Sequence, residues 1–332
     1  MENEFKIMEL EVLEDQLTYG PDFICIGAQK SCTSWLHWNL LFHPDTSMPP
    51  EKEIDYFNYD FFPFSLWKRY LFGFLIKYMR FTLRHKHYKG YNQWVKWYNR
   101  LLKAKKNEIP PTEFYPFESF PFKWYEDFLF SPHTPENYSK LFPKPRGKIS
   151  GDLTPSYSLL SDKWIEELSK ELPTVKIIYL LRNPVERAWS EFKMKNKNFL
   201  LGNPKDSKIL KYIKNGDYFK HGYYISLLNK WERYFPGRIK IWFYDQICEN
   251  PEKIFLEICE YLDISLDTTF SHNNIKGKIF EGASDPMPIR VRRYLNNHFQ
   301  EELLSLHKRF NNVYTKDWLS CCTSEQLEGC VS

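Results

Sequence analysis

The chain has 332 residues, 42% of them hydrophobic, which is enough for one large α/β domain or two smaller ones. Its net charge of +4, from 46 basic and 42 acidic side chains, suits an anionic ligand and gives no indication of a nucleic-acid partner. The seven cysteines are odd in number and include no C-x-x-C pair, so a disulfide scaffold is not expected.

The N-terminal stretch, residues 1–20, is acidic and lacks the apolar segment of a signal peptide. No run of about 18 apolar residues occurs elsewhere in the sequence. We therefore expect a cytoplasmic protein without stable membrane insertion, and we assign no chemistry to these first residues.

A phosphate-binding turn is predicted within residues 23–35, FICIGAQKSCTSW. Residues 23–26 are apolar and β-prone, as in a buried parallel strand, and three leucines at helical spacing follow the turn. The turn therefore lies at a helix N-terminus, where free amide groups and the helix dipole attract an anion. Its candidate ligand-binding residues are Gly27, Gln29, Lys30, Ser31, Cys32, Thr33 and Ser34.

The spacing of this turn differs from that of an ATP-binding P-loop. The pattern G-x-x-x-x-G-K-[ST] requires Gly-Lys directly before the hydroxyl residue, whereas Lys30 comes only three residues after Gly27. We therefore expect a phosphate ligand other than ATP. A tight strand-to-helix turn with a solvated lysine is the alternative interpretation.

A candidate general base follows in residues 52–57, KEIDYF. This segment alternates polar with apolar residues and is expected to return near the turn. Glu53 would there accept a proton from an acceptor hydroxyl, with Lys52 and Asp55 in the same segment. A glutamate in a charged loop is otherwise more often a surface residue.

Residues 58–130 mix aromatic with basic side chains at roughly helical spacing. Three interpretations are open: a helical lid over a substrate, an amphipathic helix on a membrane or partner, or additional core with a solvated basic face. We favour the lid because the segment directly follows Glu53. The proline-rich residues 131–148 indicate a linker.

A second ligand-binding position is predicted after the apolar, β-branched strand at residues 174–181. Arg182 follows this strand, and Asn183 and Pro184 suit the N-cap and first position of a helix. Open α/β sheets bind ligands at the carboxyl ends of their strands, so Arg182 and Ser190 would together bracket a second phosphate. An arginine there is otherwise often a salt-bridge partner.

The rest of the chain alternates helices with a further strand at residues 238–244. The predicted helices cover residues 163–172, 223–235, 251–262 and 289–310. A basic loop with Lys276, Gly277 and Lys278 would close over an anion, and residues 320–332 are expected to form a mobile tail. Together these patterns predict a single α/β domain over residues 1–332, with a P-loop-like central parallel sheet flanked by helices and the aromatic-rich, mainly helical insertion.

These motifs resemble those of the sulfotransferases that use 3′-phosphoadenosine 5′-phosphosulfate (PAPS), most closely the bacterial and heparan-sulfate-type branch, over most of residues 20–320. Residues 27–34 resemble the 5′-phosphosulfate loop, and residues 180–190, LLRNPVERAWS, resemble the 3′-phosphate motif. Residues 52–57 are similar to the segment that carries that branch's general base. Residues 151–157 resemble its G-E-K-[ST]-P-x-Y loop.

The resemblance implies roles for individual residues. Lys30 would contact the 5′-phosphate and the bridging oxygen, with Thr33 and Ser34 on the phosphosulfate. Arg182 and Ser190 would hold the 3′-phosphate. Glu53 would be the base, and the loop at residues 276–278 would close over the nucleotide. The candidate substrate contacts are Asp55, Tyr56, Asp152, Thr154 and Tyr157.

Three positions depart from the family pattern. Cys32 stands where glycine is usual, Leu153 replaces a lysine often found before Thr-Pro, and Asp55 replaces a histidine or glutamine. The resemblance implies in-line sulfonate transfer from PAPS, without a metal, to a hydroxyl or amine of a small-molecule acceptor. A flat or cationic natural product such as a saxitoxin-like alkaloid is one such acceptor. The alternatives are a P-loop nucleotide kinase or NTPase, and a non-catalytic binding protein that uses the aromatic-basic insertion.

Overall fold

A four-stranded parallel sheet forms the centre of the structure, a computed structural model that describes residues 17–58, 100, 103, 120–266 and 286–320. Its strand order is β4-β2-β5-β6, and a short antiparallel pair, β1 with β3, lies apart from it. The strands are β1 (Leu17–Thr18), β2 (Phe23–Gly27), β3 (Lys144–Pro145), β4 (Gly151–Leu153), β5 (Lys176–Leu181) and β6 (Ile239–Phe243).

Helices connect these strands in the order expected for an α/β fold. The helices are α1 (Thr33–Leu41), α2 (Phe120–Phe130), α3 (Pro135–Ser139), α4 (Asp162–Glu171), α5 (Pro184–Lys195), α6 (Lys197–Leu201), α7 (Asp206–Asn215), α8 (Tyr224–Tyr234), α9 (Tyr244–Glu249), α10 (Pro251–Leu262), α11 (Ile289–Phe310) and α12 (Val313–Ser320). Two 3₁₀ turns, Pro155–Leu159 and Lys220–Gly222, complete the described elements. None of the helices that the structure describes has the length and apolar character needed to cross a membrane.

The sheet is buried on both faces, which explains the continuous apolar runs in its central strands. Side chains along a strand alternate between the two faces. Ile24 and Ile177 accordingly pack in the larger apolar cluster, whereas Cys25 and Ile178 pack in the smaller one on the other face. The predicted central parallel sheet flanked by helices is therefore confirmed.

The order of the strands places a topological switch point at the ends of β2 and β5. From β2 the chain crosses to β4 on one side, and then returns to β5 on the other side of β2. Ligands of open α/β sheets bind at such a switch point, outside the carboxyl ends of the strands. The two phosphate motifs follow these two strands directly.

The structure corrects one element of the sequence interpretation. Residues 131–148 are not simply a linker, since they contain α3 and β3. Thr134 caps α3 by accepting a hydrogen bond at Oγ1 from the Asn137 amide, 3.2 Å away. The helices predicted at residues 251–262 and 289–310 begin and end as expected. The loop at residues 276–278, most of the 58–130 insertion and all but the first residue of the 320–332 tail lie outside the described residues.

Candidate active site at the carboxyl ends of β2 and β5

The first phosphate motif forms a tight turn that is fixed to the neighbouring strand. The amide of Ala28 donates to the Leu180 carbonyl at 2.8 Å, which ties the turn to β5. At Gly27 the backbone φ is 139°, and an added Cβ would stand 3.0 Å from the Pro155 oxygen and 3.3 Å from Tyr179 Cε2. The turn therefore requires glycine at this position, both for its dihedral angle and for space.

Several residues of the site adopt left-handed backbone conformations that most side chains disfavour. Lys30, Cys32, Glu53 and Asp55 have φ values of 72°, 66°, 58° and 53°. Asp55 is of a residue type that tolerates positive φ, as are the other such non-glycine residues in the described ranges, Asn203, Asp263 and Asn311, whereas Lys30, Cys32 and Glu53 are not. Strained conformations of this kind are concentrated at functional sites, and here they occur in both segments expected to carry chemistry.

Helix α1 points its N-terminus into the turn. Its N-cap residue, Cys32, makes no side-chain capping hydrogen bond, and the first turn holds no acidic residue. The first amide groups of a helix have no partner within the helix and lie at the positive end of its dipole. The hydroxyls of Thr33 and Ser34 lie in the same first turn. This end of α1 is therefore suited to an anion.

The segment that carries Glu53 returns to this turn, as the sequence predicted. The ammonium of Lys52 lies 3.2 Å from Ser34 Oγ and 3.4 Å from Thr33 Oγ1. The same ammonium is 2.5 Å from Glu53 Oε1. One cation thus connects the candidate base to the hydroxyls of the phosphate turn.

Lys30 connects the turn to α5 and to the end of β5. Its Nζ lies 3.7 Å from the sulfur of Met194 on α5, and its backbone carbonyl accepts a hydrogen bond from Arg182 Nη1 at 3.0 Å. Burial lowers the pKa of Lys30, and the positive charges of Arg182 and Lys52 lower it further. Three cations therefore surround the turn, and a bound anion would relieve their mutual repulsion.

Arg182 is held in place by its neighbours at the end of β5. Its guanidinium stacks over the Tyr244 ring at 4.2 Å from the ring centre, and its carbonyl accepts a hydrogen bond from the Tyr224 hydroxyl at 2.8 Å. Asn183 caps α5 by accepting from the Val185 amide at 2.9 Å, as predicted. A planar donor fixed by stacking is suited to binding a phosphate through two parallel hydrogen bonds.

Ser190 lies half-buried on α5. It precedes Met194 by one helical turn, so the two residues share a face of the helix. Since Met194 contacts the Lys30 ammonium, this face lies beside the phosphate turn. The structure therefore brings Lys30, Arg182 and the Ser190 face of α5 to one region.

A buried carboxyl group lies behind the Glu53 segment. Asp152 accepts hydrogen bonds from Thr154 Oγ1 at 2.6 Å and from the Tyr138 hydroxyl at 2.9 Å, and the Tyr157 hydroxyl also bonds to it. Burial raises the pKa of Asp152 to about 7. The Tyr157 oxygen in turn accepts from the Tyr56 amide at 2.9 Å. This network connects β4 to the segment that carries Glu53.

Most of the candidate substrate residues belong to that network and are enclosed. Tyr56, Asp152, Thr154 and Tyr157 are each at most 2% exposed, so they position the Glu53 segment and offer almost no surface to an acceptor. Asp55 is half-buried, and its Oδ1 accepts from the Asn58 side-chain amide at 2.7 Å and from the Ser156 hydroxyl. Among the remaining turn residues, Ser31 is fully buried and Gln29 is half-buried.

Sequence reasoning did not assign two residues of the site. Lys52 was noted only as a neighbour of Glu53, and Tyr244 was not singled out. Leu181 and Phe243 pair in parallel strands, so the residues that follow them, Arg182 and Tyr244, are neighbours. The sequence indicated this only in that each residue directly follows a predicted strand. The contacts of Lys52 with Thr33 and Ser34 could not be predicted in this way, because they depend on the conformation of the loop.

In the part of the chain that the structure describes, no group of three or more histidine, cysteine, aspartate or glutamate side chains is placed to hold a metal ion. No curated protein matches the sequence. Among solved structures, a sulfotransferase from Alicyclobacillus acidocaldarius is similar with a TM-score of 0.52 and 18% identity, over 90% of this chain and 98% of the other. That similarity supports the fold.

Two further structures match with lower scores. The sulfotransferase domain from the curacin biosynthetic pathway has a TM-score of 0.43 and 15% identity, over 79% of this chain and 82% of its own. The sulfotransferase domain from the Synechococcus PCC 7002 olefin synthase has a TM-score of 0.44 and 14% identity, over 89% of this chain and 96% of its own. The family model described as "Sulfotransferase domain" matches residues 20–298, so the chain belongs to the sulfotransferase family.

Proposed function

We propose that this protein transfers a sulfonate group from PAPS to a hydroxyl or amine of a small-molecule acceptor. One observation carries the proposal: three cations, Lys30, Lys52 and Arg182, lie around the N-terminus of α1, and among the described residues the carboxylate in contact with one of them is that of Glu53. A site with this charge arrangement favours a polyanionic donor and holds one base beside it.

The hydrogen-bond donors and cations of the site suit a nucleotide that carries phosphates on both the 5′ and the 3′ oxygen of its ribose. The turn and the first residues of α1 would hold the 5′-phosphosulfate, with Lys30 on the bridging oxygen. Arg182, stacked on Tyr244, would bind the 3′-phosphate together with Ser190. A kinase would use a strand-end aspartate for Mg²⁺, whereas β5 is followed by Arg182. The loop at residues 276–278 is proposed to cover the nucleotide.

PAPS supplies the sulfonate: the bond from sulfur to the 5′-phosphate oxygen breaks with its electron pair passing to that oxygen, while a bond from sulfur to the acceptor atom forms. Lys30 and the amide groups of α1 stabilise the charge that develops on the departing oxygen. Glu53 takes the proton that the acceptor loses and passes it to water after transfer.

Two other groups near the site are poorer bases than Glu53. Burial, together with the charge of Lys52, lowers the pKa of His37 to about 3, so its imidazole binds a proton only weakly. Asp152 is 2% exposed and enclosed by hydroxyls, so an acceptor does not reach it. Glu53, whose side chain is 45% exposed, is the carboxylate that an acceptor can approach.

The test is transfer of label from radiolabelled PAPS to a panel of phenolic, alcoholic and amine acceptors, including flat cationic ones. We expect Glu53→Gln to lower the transfer rate about 10²–10⁴-fold while leaving the affinity for 3′-phosphoadenosine 5′-phosphate (PAP) unchanged. Glu136→Gln, at a glutamate whose side chain is 73% exposed, is the matched control and should transfer at the normal rate. Unchanged transfer in Glu53→Gln would remove Glu53 as the base. Binding of PAP without transfer to any acceptor would favour the non-catalytic binding protein.

A further inference from the structure

Lys52 is the cation that contacts the hydroxyls of the phosphate turn. Its ammonium lies within 3.4 Å of both Thr33 Oγ1 and Ser34 Oγ, whereas the Lys30 ammonium lies against the sulfur of Met194. The Lys52 side chain is only 17% exposed, so its charge is directed into the site. This arrangement assigns different places to the two lysines around a bound donor.

The two places correspond to different parts of the donor. Lys30 is part of the turn itself, and its carbonyl accepts a hydrogen bond from Arg182. Its ammonium is therefore expected to contact the phosphate. Lys52 approaches from the segment that carries the base, and so from the side on which the acceptor must lie. The group between the phosphate and the acceptor is the sulfonate, whose oxygens accept hydrogen bonds from an ammonium.

Lys52 has a competing partner in the structure, the carboxylate of Glu53 at 2.5 Å. An ammonium paired in this way occupies one oxygen of the carboxylate, at the group that would contact the acceptor. When a sulfonate presents its negative oxygens at the same point, it competes with Glu53 for Lys52. Glu53 would then have one partner fewer and could contact the acceptor.

We propose that Lys52 is a catalytic residue that binds the transferred sulfonate, and that it exchanges its ion pair with Glu53 for this contact when the donor binds. The inference rests on the proposed function, since it requires PAPS as donor. Lys52 would stay with the sulfonate as the sulfur leaves the phosphate oxygen for the acceptor atom, and Glu53 would take the acceptor's proton. The base is thus available once the donor is in place.

The contact predicts a difference between PAPS and PAP, because PAP lacks the sulfonate. Lys52→Met should weaken PAPS binding about 10- to 100-fold, the effect of losing a hydrogen bond to a charged group, and leave PAP binding unchanged. Glu53→Gln should tighten PAPS binding about two- to fivefold, because the competing carboxylate is gone, and again leave PAP binding unchanged. The double variant should bind PAPS as Lys52→Met does.

The experiment is calorimetric titration of each variant of the full chain with PAPS and with PAP, without acceptor. Lys170→Met, at a lysine whose side chain is 70% exposed, is the matched control and should bind both ligands as the wild type does. Thermal unfolding checks that each variant is folded, and Lys52→Gln replaces Lys52→Met if that protein does not fold. If Lys52→Met weakened the binding of PAPS and PAP equally, or changed neither, the proposed role of Lys52 would be overturned and the proposed function would stand. A wild type that binds neither ligand would instead overturn the proposed function, and this inference with it.

Discussion

Replacing Asp152 with asparagine is expected to change how the stability of the protein depends on pH. The Asp152 carboxyl has an ordinary pKa of 3.8, which burial raises to about 7 in the folded protein. Between these values the folded protein keeps a proton that the unfolded chain has lost. The group therefore stabilises the fold fully below about pH 4, and this contribution is lost as the pH rises through 7.

The size of the effect follows from the two pKa values. Each unit of difference corresponds to about 1.4 kcal/mol, so the contribution of Asp152 should fall by about 4 kcal/mol between pH 4 and pH 8. Asparagine resembles the protonated acid in shape and does not titrate. Relative to the wild type, the variant should therefore gain about 3 kcal/mol in unfolding free energy between pH 5 and pH 8.

The assay is urea unfolding of the wild type and Asp152→Asn at several pH values from 5 to 8. Asp162→Asn is the matched control, at an aspartate whose side chain is 53% exposed. A difference in unfolding free energy between the wild type and Asp152→Asn that stays constant over this range would refute the reasoning. A difference that changes equally in the control would refute it as well.

Two predictions concern the phosphate turn. Gly27→Ala should destabilise the protein by about 1–3 kcal/mol, because φ is 139° and the new Cβ would meet the Pro155 carbonyl. Gly237→Ala, at a φ of 70° with open space around it, should lower the unfolding free energy by less. Equal losses of unfolding free energy in urea would count against the crowding at Gly27. Cys32→Gly should raise the unfolding free energy by up to about 1 kcal/mol, because glycine adopts the left-handed φ of 66° without strain. A clear fall in the melting temperature of Cys32→Gly would contradict this.

The sequence predicted the elements whose signals are local. The strand at β5, the Asn183 cap and the Pro184 start of α5 are determined by residues next to one another, and the structure has them where the pattern indicated. The expected ligand position at the carboxyl end of β5 followed from general rules of parallel sheets. The structure accordingly has Arg182 beside the phosphate turn, in contact with the Lys30 carbonyl.

Contacts between distant segments were harder to predict. Tyr56, Asp152 and Tyr157 were candidates for contact with the acceptor, because they lie in segments that resemble the family's base segment and its G-E-K-[ST]-P-x-Y loop. In the structure they instead form a buried network, since Tyr138 on α3 supplies an additional hydroxyl. The role of Tyr138 depends on the fold of residues 131–148, a stretch whose prolines indicated a linker.

The backbone conformation at Cys32 explains why glycine is usual at this position. A glycine is usual at this position in the family that the chain resembles. Cys32 has a φ of 66° and is the N-cap of α1, so the position needs a left-handed conformation, which glycine adopts most easily. The chain has the required conformation here with a non-glycine residue.

The most direct test of the account is calorimetric titration with PAP, the product that carries both phosphates. The wild type should bind PAP more tightly than ADP, and Arg182→Ala should weaken PAP binding about tenfold or more through loss of a charged hydrogen-bond donor. Arg233→Ala, at an arginine whose side chain is 65% exposed, should bind PAP normally. Equal affinity for ADP and PAP, or PAP binding that is unaffected in Arg182→Ala, would contradict the assignment of the 3′-phosphate site and with it the proposed donor.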